Sequence, residues 1–283
     1  VVNKIEPDII FHFAAQPIVS EGYKNSKNTF ETNINGTLNL FESIKNIKKN
    51  IYIIIITSDK VYKNNISNNV LYETSSLGGI CPYSSSKACV EIISEAYANS
   101  MQNKFIYTVR AGNVIGGGDW SENRIIPDIF RAYNNNKPLK IRNPNSVRPW
   151  SYVLDIIIGY LIIGLDCIEK KPSFNSYNLS PLQKSSFTVL DLANKFLNKF
   201  DKRNPVVVDD LVEFKEKKFL KLSSNKIYKE LNWSNQISFE DTVKLTAQWY
   251  QEVLSGLSPL KVTENNIKDY LQILNTKEKI YAS

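Results

Sequence analysis

A run of six apolar residues, Ile51–Ile56, limits most strongly what this chain can fold into. It contains five isoleucines and one tyrosine, with no polar residue alternating between them. Uninterrupted β-branched runs of this length are typical of a strand covered on both faces, as in parallel sheets. Further apolar strands are predicted at residues 8–13 and 105–110. The sheet is therefore expected to be parallel and buried.

Helices are predicted between these strands. Residues 28–46 are amphipathic, with Phe30, Ile34, Leu38 and Phe41 on one face, and a second helix is predicted at 85–99. Alternating strands and helices predict an α/β fold with a doubly wound parallel, Rossmann-like sheet. Beyond the third strand, a smaller region is expected to contain helices near 125–134, 188–199, 223–231 and 239–254.

Tyr83 and Lys87 are the first candidate functional residues. Residues four apart share one helix face, where the lysine ammonium can favour the phenolate and lower a phenol pKa of about 10. Lowering that pKa to near neutrality requires roughly 4 kcal/mol of local electrostatics. Tyr83 is therefore predicted to be a general base for a sugar or alcohol hydroxyl.

The preceding sequence distinguishes this pair from others with the same spacing. Ser58, Asp59 and Lys60 provide a hydroxyl, a carboxylate and an amine at a predicted strand end, about 25 residues before Tyr83. Two other pairs lack such a context and are interpreted as solvated surface pairs: Tyr23 with Lys27, and Tyr133 with Lys137.

Composition argues against nucleic-acid-binding, metal-binding and membrane proteins. The 35 basic and 28 acidic residues give a net charge of +7, but lysine is spread along the chain, so no nucleic acid partner is predicted. Three cysteines without metal-ligand spacing favour a reducing, cytoplasmic location and no metal site. The longest apolar runs are too short to span a bilayer, so no membrane partner is predicted.

Six stretches resemble, in order, motifs of the extended short-chain dehydrogenases/reductases, and most closely those of the CDP-glucose 4,6-dehydratases. They are HFAAQP at 12–17, TNINGT at 32–37, TSDKVY at 57–62, LGG followed by PYSSSK at 77–87, RAGNVIGGGDW at 110–120, and RNP with RPW at 142–150. The resemblance implies NAD as cofactor, a nucleotide-sugar substrate and a lyase of nucleotide-sugar metabolism, such as deoxysugar biosynthesis for lipopolysaccharide O-antigen.

The resemblance also implies catalytic roles. Tyr83 removes the C4 hydroxyl proton, and Lys87 holds the phenolate and the nicotinamide ribose. Asp59 fits the acid that protonates the departing C6 hydroxyl, and Lys60 fits the base that removes the C5 proton; Ser58 belongs to the same site. Lys60 can act as that base only where burial or nearby positive charge favours its neutral form.

Other implied roles concern binding. Ala14 and Ala15 allow close approach to the cofactor, and Asn113, Arg142 and Arg148 are candidates for the nucleotide diphosphate. Asn33 is expected to tie backbone together beneath the catalytic residues, and His12 to be a packed structural residue. The resemblance further implies a homodimer formed through the helices at 28–46 and 85–99.

The resemblance also implies a domain organisation. Residues 1–115 and 146–182 are expected to form the NAD-binding domain, and 116–145 and 183–283 the substrate-binding region. No glycine-rich dinucleotide turn is found among the 11 glycines. The resemblance therefore predicts that roughly three βα units before the first strand are missing. We accordingly expect the strand at 8–13 on an exposed sheet edge, poor folding, and weak NAD binding.

Three functional alternatives remain open. Asp59 and Lys60 favour a dehydratase over a nucleotide-sugar 4-epimerase, which would use the same Tyr/Lys pair with small residues at 59–60. A catalytically silent remnant that only binds a nucleotide sugar or a partner is the third. Ile80, Cys81 and Tyr152 depart from the family pattern, near the expected active site and substrate loop.

Overall fold

The computed structural model describes residues 2–63, 70–181, 187–200, 204–208 and 221–281. Within these ranges the strands are β1 (Ile9–His12), β2 (Ile51–Ile56), β3 (Lys104–Ala111), β4 (Asn113–Ile115), β5 (Leu139–Ile141), β6 (Val147–Arg148), β7 (Trp150–Tyr152), β8 (Phe174–Leu179), β9 (Phe187–Thr188) and β10 (Val206–Val208).

The helices described fall between these strands. They are α1 (Val2–Ile5), α2 (Val19–Lys24), α3 (Ser26–Phe30), a π-helical turn (Glu31–Asn35), α4 (Gly36–Ile44), a 3₁₀ turn (Asp59–Val61), α5 (Pro82–Ser100), α6 (Ile125–Asn134), α7 (Val153–Lys170), α8 (Val189–Leu197), α9 (Asn225–Leu231), α10 (Phe239–Leu254) and α11 (Pro259–Tyr281).

Backbone contacts divide the chain into two compact units. The first contains 1–112, 158–180 and 221–234, and the second contains 113–157, 181–220 and 235–283. The sequence had assigned 221–234 to the substrate-binding region and 146–157 to the NAD-binding domain. Residues 221–234 belong with the sheet because the Ser180 amide donates to Ser224 Oγ and Tyr177 OH donates to Glu230, both bonds linking this segment to β8 or its end.

The first unit is built on a four-stranded parallel sheet in the order β1-β2-β3-β8. The first five residues of β2 are buried, as expected for a strand covered on both faces. Phe41 and Ile44 of α4, Val90 of α5 and Ile53 of β2 belong to one buried cluster. The predicted parallel α/β fold is confirmed.

Among the described strands, β1 lies at one end of the sheet order, and the exposure predicted for it is not seen. Its side chains are half-buried, since Ile9 and Phe11 lie against Gly164 of α7. The sequence missed α7 and β8. Residues 156–165 are apolar all round and so lack the helical periodicity that identifies an amphipathic helix. Also missed were α2 and α11.

The described residues of the second unit form three two-stranded pairs and a helical core. The pairs are β4 with β7 and β5 with β10, both parallel, and β6 with β9, which is antiparallel. Phe130 of α6 stacks on Tyr250 of α10 with ring centroids 4.1 Å apart, at the centre of a cluster joining α6, α8 and α10. The predicted helices at 125–134, 188–199 and 239–254 are confirmed.

Helices long and apolar enough to cross a membrane do not occur among the described residues.

Candidate active site

The carboxyl ends of β1 and β2 form one edge of the sheet. The two strands are parallel, and His12 pairs with Ile55 one residue before β2 ends. Ala14 and Ala15 follow β1, and Ser58, Asp59 and Lys60 follow β2. Since ligands of open α/β sheets bind outside the carboxyl ends of the strands, this edge is the candidate site.

The segment after β2 folds into a 3₁₀ turn that carries the acid and the amine. Ser58 begins it: its Oγ accepts a hydrogen bond from the Lys60 amide (3.2 Å) and donates one to Asp59 Oδ1 (3.1 Å). Asp59 is 3% exposed and Lys60 is half-buried. A carboxylate and an amine therefore occupy successive positions beside a strand end.

Tyr83 and Lys87 lie in the first two turns of α5, on one face, as predicted. Pro82 suits the first helical position, and Cys81 caps the helix, its Sγ accepting from the Ser84 amide. Both site residues are buried, Tyr83 at 8% and Lys87 at 6% exposure. The Lys87 ammonium donates to the Ile56 carbonyl oxygen (3.0 Å), which attaches α5 to the end of β2.

Burial has a clear electrostatic effect on Lys87. Desolvation lowers the pKa of Lys87 to about 8, although the Glu91 carboxylate one turn later opposes this. Burial also lowers the pKa of His12, and the charge of Lys87 lowers it further. His12 is half-buried and lies 3.3 Å from the Thr37 hydroxyl, which fits the structural role predicted for it.

Two glycines allow backbone to pass close to the start of α5. A Cβ atom at Gly79 would lie 2.2 Å from the Ser85 amide nitrogen, and one at Gly22 would lie 3.3 Å from the Tyr83 amide nitrogen. The close approach at Gly79 is possible only without a side chain. These contacts help to set the position of Tyr83.

Asn33 joins the segment after β1 to α5. Its Oδ1 accepts from the Gln16 amide (2.7 Å), and its Nδ2 donates to the Gln16 carbonyl (3.2 Å) and to Ser86 Oγ (2.8 Å). Ser86 Oγ in turn donates to the Tyr83 carbonyl. Asn33 is 2% exposed and lies in the π-helical turn, a local irregularity often found at functional sites.

The three residues predicted to bind a diphosphate belong to the second unit. Asn113 begins β4 and is half-buried. Arg142 is also half-buried and donates to the Asn123 carbonyl (3.0 Å). Arg148 is 6% exposed, and one of its N–H groups donates to the Val147 carbonyl (2.9 Å).

A buried ion pair that was not predicted from the sequence lies behind this edge. Arg110 Nη2 lies 2.8 Å from Glu91 Oε2, with exposures of 3% and 1%. Two signals could have revealed it: a carboxylate one turn after Lys87, and a charged residue within an apolar strand. In the described part of the chain, no cluster of histidine, cysteine, aspartate or glutamate could hold a metal ion.

The fold and this edge define the class of protein: a Rossmann-like α/β protein with a Tyr/Lys pair and an Asp/Lys pair beside its sheet. The sequence model of the GDP-mannose 4,6 dehydratase family matches residues 1–246. The chain belongs to this family.

Two curated relatives are dehydratases. CDP-glucose 4,6-dehydratase of Salmonella typhimurium is 33% identical over 279 residues, 95% of this chain and 78% of that protein. dTDP-glucose 4,6-dehydratase of Haemophilus influenzae is 26% identical over 270 residues, 88% of this chain and 78% of that protein. Dehydratases are hydro-lyases, so these relatives support an enzyme of that class.

Solved structures show the same fold. UDP-glucose-4-epimerase of Stenotrophomonas maltophila, crystallised with NAD and formylated UDP-arabinopyranose, has a TM-score of 0.80 at 19% identity. The match covers 90% of this chain and 80% of that one. At this identity the likeness shows the fold alone.

Proposed function

We propose that this enzyme dehydrates a nucleotide-diphospho-glucose with NAD as cofactor, and that its substrate is CDP-glucose, converted to CDP-4-keto-6-deoxyglucose. One observation carries the proposal: Asp59 and Lys60 occupy a turn at the end of the strand to which Lys87 is hydrogen-bonded. A Tyr/Lys pair for oxidation and an acid/base pair for elimination thus lie at the same sheet edge. The relative at 33% identity supports CDP-glucose.

The chemistry of the donor set fits NAD at this edge. The Lys87 ammonium has three N–H donors, and one of them binds Ile56 within the described structure, although the side chain is only 6% exposed. Buried donors require partners, and ribose hydroxyls are suitable ones. We assign Tyr83 and Lys87 to the nicotinamide ribose, with Ala14 and Ala15 allowing close approach. NAD bound there would supply reversible hydride acceptance from the sugar, so no net oxidation would result.

Tyr83 is assigned the first proton transfer. Its phenolate oxygen takes the proton of the C4 hydroxyl as the C4 carbon becomes a ketone. The positive charge of Lys87 stabilises that phenolate. The new ketone acidifies the C5 proton, which prepares the second half of the reaction.

Asp59 and Lys60 are assigned the elimination. The neutral amine of Lys60 takes the C5 proton, and the protonated carboxyl of Asp59 gives a proton to the C6 hydroxyl, which leaves as water. Ser58 holds both residues in place, because its hydroxyl contacts the Lys60 amide and the Asp59 carboxylate. Elimination leaves a C5–C6 double bond. With the hydride held by the cofactor added at C6 and the proton on Lys60 returned to C5, the product would be a 4-keto-6-deoxy sugar.

Substrate binding is assigned to the second unit. Arg142 and Arg148 offer planar paired donors suited to phosphate oxygens, and Asn113 adds an amide. The first unit, which contains the sheet, is proposed to bind NAD, and the second unit the sugar nucleotide. A homodimer through 28–46 and 85–99 is proposed from family resemblance.

The test is incubation with CDP-glucose and NAD⁺. A 4-keto-6-deoxy product should form without accumulation of NADH, and dTDP-glucose or UDP-glucose should react more slowly. Formation of CDP-galactose instead would identify a 4-epimerase, the alternative suggested by the same Tyr/Lys pair. Binding of CDP-glucose without turnover would identify a catalytically silent protein.

A further inference from the structure

The turn after β2 that carries Asp59 and Lys60 is here called the acid/base turn. It is connected at both ends to the buried ion pair of Glu91 and Arg110. Thr57, immediately before Ser58, donates its hydroxyl proton to Glu91. Tyr62, immediately after the turn, accepts a hydrogen bond from Arg110 Nη1 (2.9 Å). Both attachments lie within the first unit. The two ends of the turn therefore depend on one ion pair.

Glu91 is fully engaged by this arrangement. Its carboxylate accepts from Arg110 Nε (3.0 Å), Arg110 Nη2 (2.8 Å) and the Thr108 hydroxyl (2.6 Å), besides the Thr57 hydroxyl. A buried carboxylate with four donors is held in one orientation, because losing any donor leaves charge uncompensated. Glu91 also lies one helical turn after Lys87, which ties the same carboxylate to the helix of the Tyr/Lys pair.

Arg110 extends the connection to the far side of the turn. Its Nη1 donates to the Glu73 carbonyl (2.9 Å) as well as to Tyr62, and its guanidinium lies 5.1 Å from the centre of the Tyr62 ring. Tyr62 OH donates to Asn178 Oδ1 (2.5 Å) on β8. A single guanidinium thus links β3, α5 and the segment that leaves the acid/base turn.

We infer that Glu91 and Arg110 are positioning residues that hold residues 57–62 in fixed relation to Lys87, so that the acid/base pair and the Tyr/Lys pair act on the same sugar. Neither residue is assigned contact with substrate or cofactor. That residues 57–62 are held in one conformation follows from these hydrogen bonds alone. The catalytic consequence rests on the proposed function, because it requires Asp59 and Lys60 to perform an elimination.

The first test measures backbone hydrogen exchange of residues 57–62 in the protein without ligands. Thr57→Val removes the hydroxyl that donates to Glu91 and to the Val109 carbonyl, and Tyr62→Phe removes the hydroxyl that contacts Arg110 and Asn178, both at nearly constant shape. We expect exchange in this segment to accelerate at least about tenfold, the usual effect of losing a hydrogen bond to a charged group. Arg110→Met should accelerate it further; if that variant fails to fold, the two milder variants decide.

Tyr107→Phe is the matched control. Tyr107 neighbours Thr108 on β3, and its hydroxyl also donates to a buried carboxylate, Asp166 (2.7 Å), which has no described contact with the turn. Its removal should leave exchange of residues 57–62 unchanged. Unchanged exchange in both Thr57→Val and Tyr62→Phe, or equal acceleration in Tyr107→Phe, would overturn the inference.

The second test uses the reaction. In Thr57→Val and Tyr62→Phe we expect C5 hydrogen exchange with solvent to slow at least about tenfold relative to hydride transfer, with KM for the sugar nucleotide nearly unchanged. Equal slowing of both steps would contradict the catalytic role. A wild-type protein that does not dehydrate any nucleotide sugar would refute the proposed function, but the exchange result without ligands would still decide the positioning role.

Discussion

The ammonium of Lys87 donates a 3.0 Å hydrogen bond to the carbonyl oxygen of Ile56, the last residue of β2. The residues immediately after Ile56 form the acid/base turn, so this bond brings the two proposed catalytic pairs to one strand end. Lys87 is buried in making it, and its pKa falls to about 8. The hydrogen bond sets the geometry, and the burial of Lys87 lowers its pKa.

Tyr83→Phe should abolish the first step. The substitution removes the phenolate that accepts the C4 hydroxyl proton, while the ring keeps its buried position. We expect the rate of NAD⁺ reduction in a single turnover to fall by about 10²–10⁴-fold, with substrate binding retained. Absorbance of NADH in stopped flow measures this. A variant that still reduces NAD⁺ at the wild-type rate would exclude Tyr83 as the base.

Asp59→Asn and Lys60→Met should separate the two halves of the reaction. Both variants retain the Tyr/Lys pair, so hydride transfer should proceed, whereas elimination should slow by about 10²–10⁴-fold. Mass spectrometry of sugar recovered from deuterated water reports C5 exchange. If Lys60→Met exchanges the C5 hydrogen as fast as wild type, Lys60 is not the C5 base; Asp59→Asn serves as the comparison that should still allow exchange.

Lys87 should make stability depend on pH. Its folded-state pKa is about 8 against an ordinary 10.5, so between these values the unfolded chain binds more protons and stability rises with pH. The shift corresponds to about 3 kcal/mol of destabilisation below pH 8, relieved by pH 10.5. Urea unfolding of wild type and Lys87→Met should differ by this amount at pH 7, with the variant more stable, and converge near pH 10.5. A difference independent of pH would contradict the assignment.

Gly79→Ala should displace the start of α5. The added Cβ would lie 2.2 Å from the Ser85 amide nitrogen, so the backbone must shift, and we expect the free energy of unfolding to fall by about 1–3 kcal/mol. The rate of NAD⁺ reduction should fall as well, because the same helix carries Tyr83.

Gly36→Ala is the control for that substitution. A Cβ at Gly36, in α4, meets no atom within 4 Å. Alanine should there raise the free energy of unfolding by about 0.5–1 kcal/mol, since glycine in a helix is the less stable residue. Equal destabilisation by both substitutions would show that steric contact at Gly79 is not the cause.

Local sequence determined a large part of this protein. The β-branched run of β2 and the largely apolar stretch of β3 favour buried strands. The four-residue spacing places Tyr83 and Lys87 on one face of any helix that contains them. Periodicity was sufficient for α6, α8 and α10, each of which has a polar face. It was not sufficient for α7, whose exposed face is also apolar at Ile157, Leu161 and Leu165.

Only the tertiary structure decided which distant residues meet. Asn33 and Ser86 are 53 positions apart, and the bond between them depends on how the π-helical turn packs against α5. Glu91 meets Arg110 only because β3 lies beside β2 in parallel register under α5. Such contacts leave no periodic pattern in the local sequence, since they form only when the helices pack on the sheet. Charged groups buried by that packing must then find partners wherever the fold supplies them.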